Sequence, residues 1–355
     1  MAVQASLAAD TPPSPWSTVV RAVVLLTAIT GVLLTAFAWP SVRSSVHDVP
    51  IAVAGPAAAV GQVSAALGQR LPGGFETTVV ADTAAAERLI RDREVYGAID
   101  VSSGTPQVIV ASAASAAVAQ TLQSVATGLS QAQAQGTRTA VAVRDLAALP
   151  ADDPRGAGLA AGAFPLVMAG LLAALLLTRL VRGTARRVTG AVAFAITGGL
   201  AAAAILQFWL GSLNGVYWAN SGAIALTVAA TSLSILGLEA LLGFAGFGLG
   251  AVAMMLIGNP LSGTSSAPEM LPGWSGTLGQ LLPPGAGGQL LRSTAFFDGH
   301  GATRPVTVLV IWLALGVTLC LASTLRARRT VIVTAGLSEG GRITGLAYSS
   351  AIRRS

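Results

Sequence analysis

The chain has 355 residues, 53% of them hydrophobic and only 10% charged, with a formal net charge of +6. Soluble domains carry about 25% charged residues, so an ordinary soluble globular protein is excluded and a membrane protein is expected. All 21 basic residues are Arg, and the lone Cys320 allows no internal disulfide or cysteine metal cluster. The positive balance raises nucleic acid as a partner, but there is no basic stripe with interleaved aromatics, so none is expected.

A helix needs roughly 20 apolar residues to cross a bilayer. In chain order such runs cover 19–38, 158–180, 188–210, 221–239, 240–257 and 306–325. The fourth and fifth are nearly continuous and read as a tight helical hairpin with its turn at 237–243. The expected fold is an α-helical polytopic membrane protein with six transmembrane helices and an α/β extracytoplasmic domain inserted between helices 1 and 2. Its parts are a cytoplasmic tail (1–18), helix 1 (19–39), the inserted domain (40–157), a five-helix membrane domain (158–325) and a second cytoplasmic tail (326–355). Ala36-Phe37-Ala38 also fits a signal-peptide cleavage pattern. The apolar run exceeds the usual core of about 7–15 residues, which favours a retained helix.

Arg placement sets orientation. Arg179, Arg182, Arg186 and Arg187 follow the second run; Arg326, Arg328 and Arg329 follow the sixth. Both clusters fall on one side, the cytoplasm of a cell membrane, with both termini. The Arg-free loop at 211–220 lies outside, with Trp209, Tyr217 and Trp218 at the outer interface. Residues 41–157 hold eight Arg against ten Asp or Glu, net −2, so the remainder of the chain carries +8.

Within the inserted domain, strands are expected at 50–55, 77–81, 96–101, 107–110 and 139–143. Helices are expected at 57–69, after Asp82 or Thr83 as a cap, and at 114–134. No catalytic constellation is visible. His47 reads as a surface His, Asp152-Asp153 as a solvated turn, and the run Glu87, Arg88, Arg91, Asp92, Arg93, Glu94 as a solvated helix face. No cofactor is implied. A phosphate-binding loop needs Lys, and the chain has none, so it is not expected to hydrolyse ATP.

Residues 260–303 are dense in Gly and Pro yet keep Leu and Trp. Asn259-Pro260 ends the fifth run. Pro272 can open a short helix carrying Trp274, Leu278, Leu281 and Leu282. Pro283-Pro284-Gly285 breaks it, and a second helix is expected from about Gly287 to Phe297. Both are too short to cross. The segment reads as a re-entrant hairpin buried against other helices, or as a loop lying on the interface. Glu269, Arg292, Asp298 and His300 read as its solvated rim. Glu239, at the hairpin turn, either pairs with Arg182 or Arg186 or is solvated.

The order of these parts, with "GNPLSGTSSAPEMLPGWSGTLGQLLPPGAGGQLLRS" and "AAAERLIRDREVYGAIDV", resembles the ABC type-2 permease family, most of all its phage-infection-protein (Pip-like) branch. The resemblance covers 19–329. It implies an exporter membrane subunit that moves a hydrophobic or amphipathic substrate outward, dimerises with itself or another permease, and is driven by a separate cytoplasmic ATPase. It also implies an outer-exit segment, here with Asn259, Pro260, Pro272, Trp274, Pro283, Pro284 and Arg292. Many such permeases have a charged amphipathic helix before helix 1. Residues 1–17 carry only Asp10 and three Pro. The remaining contacts for an ATPase are Arg182, Arg186, Arg187 and Glu239. The alternative is a non-transporting cell-envelope scaffold or receptor.

Overall fold

The computed structural model describes residues 14–133 and 141–352, with side chains over 14–131 and 141–327. The first 13 residues, most of the AQAQGT tract and the expected start of the last strand at Thr139 lie outside the described residues.

The chain begins with α1 (Trp16–Val42) and then builds a mixed α/β unit, the sheet domain. Its elements are β1 (Val49–Ala54), α2 (Ala57–Arg70), β2 (Phe75–Val80), α3 (Thr83–Arg91), β3 (Gly97–Asp100), β4 (Gln107–Val110), α4 (Ala116–Gln133) and β5 (Ala142–Asp145). The strands lie in the order β2-β1-β3-β4-β5. Pairing is parallel for β1 with β2, β1 with β3, and β4 with β5, and antiparallel between β3 and β4.

Side-chain alternation decides which face each residue covers. Ile51, Ile99, Val108 and Val110 pack with Leu67 of α2 and Val118, Leu122 and Val125 of α4. Ala52, Ala54, Ala98 and Ile109 face the other way, onto Ala86 and Ile90 of α3. Both faces are covered, so β3 is buried throughout, Asp100 included, and β1 at every residue but Pro50. The edge strand β5 is exposed along its length. Asp82 caps α3, accepting from the Ala85 amide at 2.7 Å. Thr83 instead donates to Asp100 at 2.5 Å.

The helical part comprises α5 (Ala157–Leu180), α6 (Thr184–Ala204), which runs on as a π-turn to Trp209, α7 (Tyr217–Leu242) and α8 (Phe244–Ala251), which runs on as a π-turn to Gly258. A 3₁₀ turn (Pro268–Met270), α9 (Ser275–Gln280), α10 (Pro283–Phe296) and α11 (Thr303–Ile352) follow. Asp153 is buried rather than solvating a turn; its carboxylate accepts from the Ala157 and Gly158 amides at 2.7 and 2.8 Å, holding the start of α5.

Among the described residues, five helices are long and apolar enough to cross a membrane: Trp16–Val42, Ala157–Leu180, Thr184–Trp209, Tyr217–Leu242 and Thr303–Ala327. The expected fifth, 240–257, is here the shorter apolar helix Phe244–Gly258. The shortening is at its start, and its end falls at Asn259-Pro260 as expected. α7 runs on to Leu242 and turns only at Gly243, whose φ of +64° suits glycine.

α7 is the hub. It packs against α5, α6, α8, α10 and α11, and 67% of its most apolar window is buried, the largest share among the five. Small residues allow this close approach. A Cβ on Gly237 of α7 would lie 2.6 Å from the carbonyl oxygen of Gly316 on α11. Its hydroxyls fold back on the helix: Thr227, Thr231 and Ser234 donate to carbonyls four residues earlier. Ser234 also reaches the Trp312 carbonyl at 3.0 Å.

Candidate functional site at the junction of the sheet domain and the broken segment

The sheet domain is fastened to the broken segment. Phe297 enters the α3 face of the sheet core, and Ala267 and Met270 enter the α4 face. The Ser45 amide donates to the Met270 carbonyl at 3.0 Å.

Arg93 makes the polar part of this junction. It sits in a left-handed turn after α3, with φ +62°, which separates it from the exposed run around it. Its Nη1 donates to the Gln289 carbonyl at 2.9 Å and to the Ser293 hydroxyl at 2.6 Å. Its Nη2 donates to the Gln289 side-chain oxygen at 2.5 Å. The guanidinium lies 5.2 Å from the centroid of the Phe297 ring. Burial pulls its pKa below the ordinary arginine value, against the neighbouring Tyr96 and Glu269.

Tyr96 donates to a Glu269 carboxylate oxygen at 2.7 Å. Burial, then the Glu269 charge, push the phenol far above its ordinary value, so it stays a donor. His300 Nδ1 lies 2.8 Å from the Asp92 carboxylate, a more exposed contact of the same two bodies.

Arg292 is the unusual member. It is 6% exposed, and its Nη2 donates to the Thr264 carbonyl at 2.6 Å. Its Nη1 is buried with no hydrogen-bond partner, as is Nε of Arg93. Among the described residues no carboxylate makes an ion pair with Arg292. A buried charge is costly unless paired.

A cavity of about 340 Å³ opens at this junction, lined in part by Arg93, Tyr96, Glu269, Thr277, Gln289 and Arg304. A second, of about 360 Å³, lies between the end of α1, the start of α5 and the segment. Asn259, Pro260 and the hydroxyl residues Ser41, Ser44, Ser262 and Thr264 line it.

Several expectations change here. The rim is not uniformly solvated: Arg292 is buried, and Glu269 is engaged by Tyr96. Arg93 is not on a solvated face. Pro272 does not open a helix; α9 begins at Ser275, whose hydroxyl donates to the Pro272 carbonyl at 2.7 Å. Pro283 and Pro284 do not break a helix but start α10, where a missing amide hydrogen costs nothing. Both are buried, while Trp274 is 70% exposed.

At the other end of α7, Glu239 pairs with Arg187 at 3.3 Å, not with Arg182 or Arg186, which are exposed. Arg187 also donates from Nε to the Val181 carbonyl at 2.8 Å and from Nη2 to the Thr178 carbonyl at 3.0 Å. It thereby satisfies carbonyls at the C-terminus of α5, where a cation is favoured. Among the described residues no such bond is made by Arg182 or Arg186, both of which are exposed.

Arg93, Tyr96 and Glu269 were not singled out as a set by sequence reasoning. The partners in these bonds stand 173 to 200 residues apart, and no local pattern pairs them. The described fold is mostly helical, with five helices of crossing length and one small mixed sheet. No family model, curated protein or solved structure matches the chain.

Proposed function

We propose that this chain is the membrane permease subunit of an exporter similar to the ABC type-2 family, moving a hydrophobic or amphipathic substrate outward and driven by a separate cytoplasmic ATPase. On this reading α8 is a short fifth crossing of six, the sheet domain is extracytoplasmic, and both termini are cytoplasmic. One observation carries it. α10 is too short to cross a bilayer, yet it packs on the hub helix α7 and is gripped by Arg93 of the sheet domain. A short element held from both sides is suited to pass a movement of the helices to an exit covered by the domain.

Four further features support the reading. α7 spans the distance from this junction to the Arg187–Glu239 pair, so an ATPase contact there has a rigid path to α10. Arg182 and Arg186 are exposed beside that pair for such a contact. The most apolar window of α1 has no buried residue, a surface for lipid or for a second permease copy. The lack of Lys assigns ATP hydrolysis to another subunit. The test is affinity capture of the tagged chain from its native membranes. An ATPase subunit in stoichiometric yield is expected. Recovery of an envelope protein instead, with no ATPase, moves the chain to the scaffold or receptor reading.

A further inference from the structure

We infer that the cavity beside Arg93 holds the anionic headgroup, phosphate or carboxylate, of an amphiphile whose tail lies along Trp274 and Leu281. That this amphiphile is the exported cargo rests on the export reading; the binding site itself rests on the geometry alone.

Two cations at the junction, Arg292 and Arg304, lack a carboxylate partner among the described residues. In the cavity wall Arg93 and Arg304 face Asp48 and Glu269, an even count. Glu269 is occupied by the Tyr96 hydroxyl, and Asp48 is exposed. Three residues from Gln289 in the wall, Arg292 adds a buried cation with no carboxylate of its own. Counting Asp92 and Asp298 as well, the junction has no net positive charge, but among the described residues neither Arg292 nor Arg304 pairs with a carboxylate. Unused donors accompany them. Arg304 and Thr277 line the cavity, and among the described residues no ion pair engages Arg304 and no hydrogen bond engages either side chain. A guanidinium and a hydroxyl converging on one space suit an oxyanion.

The amphiphile follows from the two sides of α9. Thr277 and Gln280 face the cavity, while Trp274 and Leu281, at the ends of the same short helix, are 70% and 49% exposed. An apolar rim beside a charged pocket fits a ligand with a charged end and an alkyl end. A cavity of about 340 Å³ has room for a headgroup and leaves a long tail outside.

The test uses the full chain in a neutral sugar-headgroup detergent, titrated with decyl phosphate, decanoate, decyl phosphocholine and inorganic phosphate while its melting temperature is followed. A ligand that binds only the folded chain raises that temperature. Decyl phosphate and decanoate are expected to raise it; decyl phosphocholine and inorganic phosphate are not. Arg304→Gln, at an exposed residue, is expected to need about tenfold more decyl phosphate, the loss of one charge-assisted contact, with partial recovery in Arg304→Lys. Identical midpoints for wild type and Arg304→Gln overturn the assignment. So does a full response to inorganic phosphate or to phosphocholine. No ATP or ATPase enters the readout, so failure here leaves the export reading standing, and failure to recover an ATPase leaves this site standing.

Discussion

Replacing Arg93 by Ala should release the sheet domain from α10 without unfolding either. Arg93 makes three hydrogen bonds to α10, at 2.9, 2.6 and 2.5 Å, and covers the Phe297 ring. Bonds of this charged kind contribute about 1.5 kcal/mol or more each, but the freed acceptors lie beside a cavity that water can enter, so the net loss is about 3 kcal/mol. That corresponds to roughly a hundredfold shift in the local opening equilibrium. Hydrogen exchange followed by mass spectrometry reads it directly. Amides of the C-terminal half of α10 should exchange about a hundredfold faster in Arg93→Ala, while β1 and β3 keep their protection. Arg93→Lys keeps the charge but loses the planar fork and should fall between. Unchanged protection in α10 would show that the apolar contacts of Phe297 and Met270 hold the junction alone. Equal loss of protection in β1 and β3 would show that Arg93 supports the sheet domain itself. Either result refutes the clamp.

Three other outcomes are expected. Residues 45–155 expressed alone should give a soluble unit with mixed α/β circular dichroism, and its stability should fall in acid because of Asp100. Burial pushes that carboxyl up, but bonds from Ser102, Thr83 and Gln107 outweigh burial and hold it below its usual 3.8. A depressed carboxyl contributes stability above its unfolded value and loses it as pH falls through the folded one. Asp100→Asn should therefore be less stable at pH 7 and show a flatter melting profile below about pH 4; parallel profiles would rule this out. Glu239→Arg should weaken ATPase binding about tenfold, and adding Arg187→Glu should restore thermal stability but not binding; restoration of both would reduce the pair to a structural role. Reporter fusions after Arg187 and Arg329 should report cytoplasm, and fusions at Ala113 and Gly285 the opposite side; a cytoplasmic signal at Ala113 ends the proposed topology.

Elements with a strong local period were legible in the sequence. The strands at 50–55 and 107–110 were read to within a residue because apolar and β-branched residues cluster between clear turn signals. A cap at Asp82 or Thr83 was readable for the same reason, its chemistry being local; the structure gives that role to Asp82. Pro283-Pro284 was misread because a proline pair both ends one helix and starts the next, and only the burial of both rings against the bundle distinguishes these uses here. The shortened α8 was missed because hydropathy is continuous through 240–243, and the turn depends on a single glycine. Glu239 was placed at the turn, but its choice of Arg187 over two neighbouring Arg residues depends on which one faces the end of α5. The junction was the least legible part. Arg93 looks like any other charge in its run, and Arg292 like a rim residue, until α10 is brought against the domain.

On the proposed reading, this chain moves an amphiphile outward at the expense of ATP hydrolysed by a partner. Inside-out membrane vesicles carrying the chain and its captured ATPase test it most directly, with a short-chain fluorescent anionic lipid as the probe. Outward transport predicts accumulation of the probe in the lumen that requires ATP, stops with a non-hydrolysable analogue, and is lost when the chain is omitted. Accumulation that is the same with and without ATP, or with and without the chain, contradicts it.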